Sequence, residues 1–178
     1  EQEKIFFELI DKQIEIEMKK DYSDYSTVRL ICAKLEYLKK NNLDSEVNKI
    51  LEQNIIYPEF RRILVDGEIR KRNFAKAKDL CLEGRKISEK KLHPGTTGEW
   101  QQKILEISEK ENNIKDIRKW SEVLYFNFNH DMKYFKKLKS TYSGSEWTDK
   151  CENIIEKLKK SDIYGGYYSA RAIAEIFI

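Results

Sequence analysis

The sequence predicts an all-α protein built of antiparallel helix pairs. Three observations carry that expectation. Apolar residues recur at helical spacing along most of the chain. Only two prolines and seven glycines interrupt its 178 residues. Leu, Ile, Lys and Glu dominate, a composition suited to helices. The alternation IEIEM (14–18) is the one strand-like stretch, and its neighbours favour helix.

Taken in order, the first helix is expected over 3–19, with Phe6, Leu9 and Ile10 on one side. A second over 25–40 aligns Val28, Ile31, Cys32, Leu35 and Leu38 on one face, and a shorter one after Asp44 carries Val47, Ile50, Leu51 and Ile55. Pro58 suits a first helical position, where its missing N–H costs nothing. That helix, to about Arg72, carries Phe60, Ile63, Leu64 and Gly67. Another follows Asn73 to about Lys91. HPGTTG (93–98) is expected to break the pattern as a loop, with Thr96 and Glu99 spaced as a capping box before Trp100, Ile104 and Ile107. Asn113 and Asp131 are expected caps for the next two helices, and Ser145 or Thr148 for the one holding Trp147, Cys151, Ile154, Ile155 and Leu158. Gly165-Gly166 precedes a last helix through Ala170, Ile173, Ala174 and Phe177. Eight to ten amphipathic helices result.

Self-similarity separates a stack of pairs from a bundle. NFAKAKDLCLEG aligns with NIKDIRKWSEVL (113–124), placing Ala77 against Ile117, Cys81 against Ser121 and Gly84 against Leu124, 40 residues apart. NLDSEVNKILEQ (42–53) aligns upstream with Leu43 against Phe74, 31 residues away. The small stripe Ala77, Cys81, Gly84 lies at i, i+4, i+7, so one helix face admits a close neighbour. With Leu64, Val65 and Phe74 it resembles the tetratricopeptide pattern. It departs where Val65 stands for the usual glycine and where the proline after the second helix is missing. The resemblance implies an α-solenoid with a right-handed superhelix, one helical-repeat domain over 1–178, and a structural role for Ala77, Gly84, Ile117 and Trp120. The start at Glu1 and the apolar AEIFI end suggest a piece of a longer protein.

A second resemblance covers roughly 53–160. YPEFR, HPGT and the spaced tryptophans are similar to the helical C-terminal region of bacterial SWIM zinc-finger proteins. Those proteins carry a separate Cys-x-Cys…Cys-x-His zinc module thought to touch nucleic acid or protein. None of its ligands occurs here, so no metal chemistry carries over to any residue.

Charged residues make up 37% of the chain and apolar ones 40%, with a formal net charge of +3. The signs interleave along the helices, so the excess does not by itself indicate nucleic acid. No membrane-length apolar run and no signal peptide is present. Cys32, Cys81 and Cys151 are odd in number and far apart, which favours a reducing cytoplasm over a disulfide framework. Each lies on an apolar helical face, where a small buried residue is expected and not a nucleophile.

His93 and His130 each precede a helix without a companion ligand at metal spacing. GTTG (95–98) lacks the lysine and the preceding strand of a phosphate loop. No catalytic, metal or cofactor residues are therefore assigned, and a non-catalytic scaffold for a protein or peptide partner is expected. The candidate partner residues are Arg62, Arg70, Arg72 and Tyr134. The alternative is a nucleic-acid-binding array in which Arg61-Arg62, Arg70-Lys71-Arg72 and Lys133, Lys136, Lys137 and Lys139 track phosphates and the interleaved tyrosines stack on bases. The zinc module of the SWIM proteins would be the more natural nucleic-acid contact. Tyr164, Tyr167 and Tyr168 form a further candidate contact patch.

Overall fold

A computed structural model describes residues 2–20, 24–161 and 167–177. All regular structure among the described residues is helical: α1 (Gln2–Met18), α2 (Asp24–Lys40), α3 (Asp44–Gln53), α4 (Pro58–Arg70), α5 (Phe74–Lys90), α6 (Pro94–Lys110), α7 (Ile114–Asn127), α8 (Met132–Lys139), α9 (Gly144–Ser161) and α10 (Tyr167–Ile176). The strand-like IEIEM stretch is helical, as its flanks required. Gly165-Gly166 and Tyr164 lie outside the described residues, as do the side chains of Tyr167 and Tyr168.

One turn recurs. Asn42, Arg72, Leu92 and Asn112 all have left-handed backbone, with φ of 58°, 60°, 57° and 54°. At each, the following residue donates its N–H five residues back: Leu43 to Leu38 (3.0 Å), Asn73 to Glu68 (2.9 Å), His93 to Ser88 (2.9 Å) and Asn113 to Ser108 (2.9 Å). The left-handed residue itself bonds three residues back, to Lys39, Ile69, Glu89 and Glu109. This is the Schellman closure, which satisfies carbonyls that a helix end leaves open. The residue after the turn then accepts the first N–H of the next helix, from Val47, Ala77, Thr97 and Ile117. One short segment thus ends one helix and starts another. From position 72 to 92 to 112 the step is constant at 20 residues, so alternate helices repeat every 40, the spacing at which the sequence aligns with itself.

Helix starts use several devices. Pro58 and Pro94 occupy first-turn positions. Asn113 accepts from the Asp116 N–H and Asp131 from the Lys133 N–H, the two caps expected. Two expectations fail. α6 begins at Pro94, so GTTG is its first turn and Thr96 is no cap. The Thr97 hydroxyl bonds the His93 carbonyl and the buried Ser88 hydroxyl, which anchors the new helix to α5. α9 begins at Gly144, which places Ser145 and Thr148 inside it.

The chain divides into two compact units, 1–80 and 81–178, with the division inside α5. The first unit is organised around Ile31, Leu35, Leu38, Val47, Leu51 and Phe60, with Phe7, Ile14 and Leu64 packed against them. Its inward face on α1 is Phe7, Ile10 and Ile14, whereas Leu9, expected inside, is 64% exposed. Below the α4–α5 turn, Glu68 receives hydrogen bonds from Lys71 (3.2 Å) and Asn73 (2.8 Å). The second unit encloses Trp100, Ile104, Ile107, Trp120, Leu124, Tyr125, Phe135, Leu138, Ile154 and Leu158. Ala77, Cys81 and Gly84 are all buried, so the small face of α5 is turned inward along its length.

In the second unit a side chain approaches the backbone closely at Gly98. A Cβ there would stand 2.4 Å from Phe128 Cζ. The glycine that was expected to turn a loop instead lets an aromatic ring rest on the α6 backbone.

Candidate functional site

The four predicted partner residues fall in different units. Arg62, half-buried, and the exposed Arg70 lie on α4, and Arg72 is the exposed left-handed residue of the α4–α5 turn. All three belong to the first unit; Tyr134 belongs to the second. Arg61, grouped with Arg62 as a basic pair, is only 3% exposed and donates to the Leu80 carbonyl (3.1 Å). It is a packing residue and not a phosphate contact.

Tyr134 is only 5% exposed, but its edge lines a groove of about 320 Å³ in the second unit. α6 forms one wall with Gln102, Leu105, Glu106 and Glu109, and α8 the other with Lys133, Tyr134 and Lys137. The walls differ in sign: carboxylates on α6 face ammonium groups on α8. Leu105 and Tyr134 supply the apolar lining, and the Tyr134 ring leans on Phe128 at 6.0 Å between centroids. Lys137 is ion-paired with Glu109, joining the two walls. Lys133 pairs with Asp131 at 3.1 Å and lies 4.7 Å from the Tyr134 ring centre. Glu106 takes ion pairs from Lys103 and Lys110 on its own helix. Two of the four lysines in the cluster that the sequence presents as basic, Lys133 and Lys137, are thus matched by acids from the α7–α8 turn and from α6. Gln102, Leu105, Glu106 and Glu109 were not singled out in the sequence, because Glu and Lys at helical spacing read there as a solvated face.

Behind the groove, α7 is fixed by two polar clamps. Arg118 donates to the Thr141 hydroxyl (3.3 Å) and carbonyl and lies 3.6 Å from the centre of the Tyr142 ring. Glu122 receives Lys150 (2.6 Å) and Lys157 (2.8 Å) from α9. Burial alone would raise the Glu122 carboxyl, but the two lysine hydrogen bonds outweigh it and leave it below the ordinary carboxylate range.

The α7–α8 turn carries a second cleft, of about 570 Å³, lined by residues 129–132 and by Arg171, Ala172 and Glu175 of α10. Tyr125 lies beneath this turn, fully enclosed, and its ring meets His130 at 5.4 Å and Phe135 at 5.5 Å. Burial, and then the nearby Glu175 and Cys151, push the Tyr125 hydroxyl up to about 12. Burial also lowers His130, which favours its neutral imidazole. His93 occupies the residue before α6 but makes no side-chain cap bond.

The chemical inventory elsewhere is spare. Among the described residues no three His, Cys, Asp or Glu side chains are placed to hold a metal ion. Burial raises the thiols of Cys32 and Cys151, which keeps them protonated at neutral pH. No described helix is long and apolar enough to cross a membrane. The chain matches no protein-family model, no curated protein and no solved structure.

Proposed function

We propose that the protein is a non-catalytic interaction scaffold whose groove between α6 and α8 receives an extended segment of a protein partner. The observation that carries this reading is the groove itself: an apolar strip of Leu105 and Tyr134 between an acidic wall and a basic wall. Such a channel suits a peptide that inserts an apolar side chain and presents charges of both signs to its flanks. In this reading the helices form a tetratricopeptide-like α-solenoid, a right-handed stack of pairs in which α6 and α8 are successive inner helices. The recurring Schellman turn and the constant 20-residue step support it. Arg62, Arg70 and Arg72 would then form a separate contact region on the first unit. The proposal extends to setting: the resemblance in YPEFR, HPGT and the tryptophans suggests a helical array that accompanies a zinc module in a longer cytoplasmic protein.

Nucleic-acid binding by the array finds less support. Arg61 is committed to a carbonyl, and Lys133 and Lys137 are paired with acids. Titration against single- and double-stranded oligonucleotides over a salt series tests the alternative. Weak, salt-insensitive binding is expected. An affinity that falls steeply with salt would replace the peptide reading with phosphate contacts.

A further inference from the structure

The α4–α5 turn carries more positive charge than its own structure uses. Arg70, Lys71, Arg72 and Lys76 are all exposed around its left-handed position. One carboxylate lies among them. Glu68 is 7% exposed and takes Lys71 at 3.2 Å, Lys76 at 3.6 Å and the Asn73 side chain at 2.8 Å. Among the described residues neither Arg70 nor Arg72 has a carboxylate partner, so both guanidiniums are presented to solvent unmatched. Arg62 does not belong to this group, being half-buried and already engaged. The α8 wall of the groove differs, since Lys133 and Lys137 each have an acid.

Local structure does not account for the surplus. A cation at the end of α4 complements the helix dipole, which explains Arg70 or Lys71. It does not explain Lys76, which lies in the first turn of α5, where the dipole disfavours a cation. Nor does the turn need the Arg72 side chain. Its closure is made by backbone, from the Arg72 N–H to the Ile69 carbonyl and from Asn73 to Glu68. Asn42 and Asn112 fill the same position at two other turns. The patch is also short, with Asp66 one turn before Arg70 on α4 and Asp79 one turn after Lys76 on α5. A nucleic-acid backbone is held by many repeated phosphate contacts along a longer track. A compact acidic segment fits this turn better.

We propose that Arg70 and Arg72, flanked by Lys71 and Lys76, receive an acidic peptide segment of a protein partner. Each guanidinium is a planar fork that can grip one carboxylate through two hydrogen bonds. The inference deepens the contact region on the first unit and rests on the scaffold reading, but it does not involve the α6–α8 groove.

Fluorescence titration of the full chain with a labelled peptide of consecutive glutamates between glycine flanks tests this. Saturable binding with a dissociation constant below about 1 mM at low ionic strength is expected, weakening as salt rises. Arg70→Gln and Arg72→Asn are each expected to weaken it about threefold, and the double variant about tenfold. Urea melts of these variants are expected to match the unaltered chain, because neither guanidinium has a carboxylate partner and Asn already serves at positions 42 and 112. Lys136→Gln removes an exposed charge from the second unit and is expected to leave the affinity unchanged. The proposal is overturned if binding does not saturate by about 1 mM, if the double variant binds as tightly as the unaltered chain, or if Lys136→Gln weakens binding as much. A single-stranded oligonucleotide of equal charge that binds more tightly, and through the same two arginines, would overturn it in favour of phosphate. Failure here leaves the α6–α8 groove standing, because that groove is read by its own residues.

Discussion

Leu92 and Gly98 show how the chain meets local demands unevenly. Three of the four recurring turns place Asn or Arg in the left-handed position, and the fourth places Leu92, 85% exposed with φ of 57°. A branched side chain in that region costs about 1–2 kcal/mol and makes no packing contribution there in return. Leu92→Gly is expected to raise stability by about 1 kcal/mol in urea melts; a lowered midpoint would mean that the exposed side chain has a packing role. Gly98 is the opposite case. Gly98→Ala drives a methyl group into the Phe128 ring and is expected to lose about 1–3 kcal/mol, whereas Gly95, with nothing within 4 Å of its would-be Cβ, tolerates the same change. Equal melts for the two alanine variants would contradict the close approach. Glycine at 98 was visible in the sequence but was assigned to a loop, because its reason is a ring thirty residues away and no local pattern records it. The caps at Asn113 and Asp131 were legible because capping is local.

Among the elements, α7 is tied to α9 by charge, and this tie responds to pH. The Glu122 carboxyl sits below its ordinary value because Lys150 and Lys157 favour the ionised form. The stability this contributes is complete above the unfolded carboxyl value of about 4.3 and is lost as pH falls through the lower folded value. Glu122→Gln is therefore expected to cost about 1–3 kcal/mol near pH 7 and less as the pH drops below about 4, measured by chemical melts at each pH. A deficit that stays constant to pH 3 would show that the α7–α9 clamp is not electrostatic. At this scale the sequence was informative about where helices lie, because each buries one apolar stripe. It was less informative about which face is buried: α1 carries apolar residues on both sides, and only packing decides that Ile10 goes in and Leu9 stays out. The small stripe of α5 was unambiguous, since Ala77, Cys81 and Gly84 offer no other use for one face of an otherwise long-chained helix.

For the whole molecule, two compact units carry different candidate surfaces, and the basic residues that the sequence places in one scheme are divided between them. The charge pattern was legible as composition but not as pairing. Lys137 looks free until Glu109 is placed beside it, which requires α6 and α8 to come together, whereas Lys133 meets Asp131 only two residues away. The α6–α8 groove is the feature on which the scaffold reading depends. It is tested most directly by selecting peptides from a displayed library on the full chain and mapping the tightest binder by amide chemical shifts. Shifts centred on Gln102, Leu105, Glu109, Tyr134 and Lys137, abolished by Tyr134→Ala in a chain that still melts cooperatively, are the predicted result. Shifts that leave this groove untouched and gather elsewhere on the surface would contradict it.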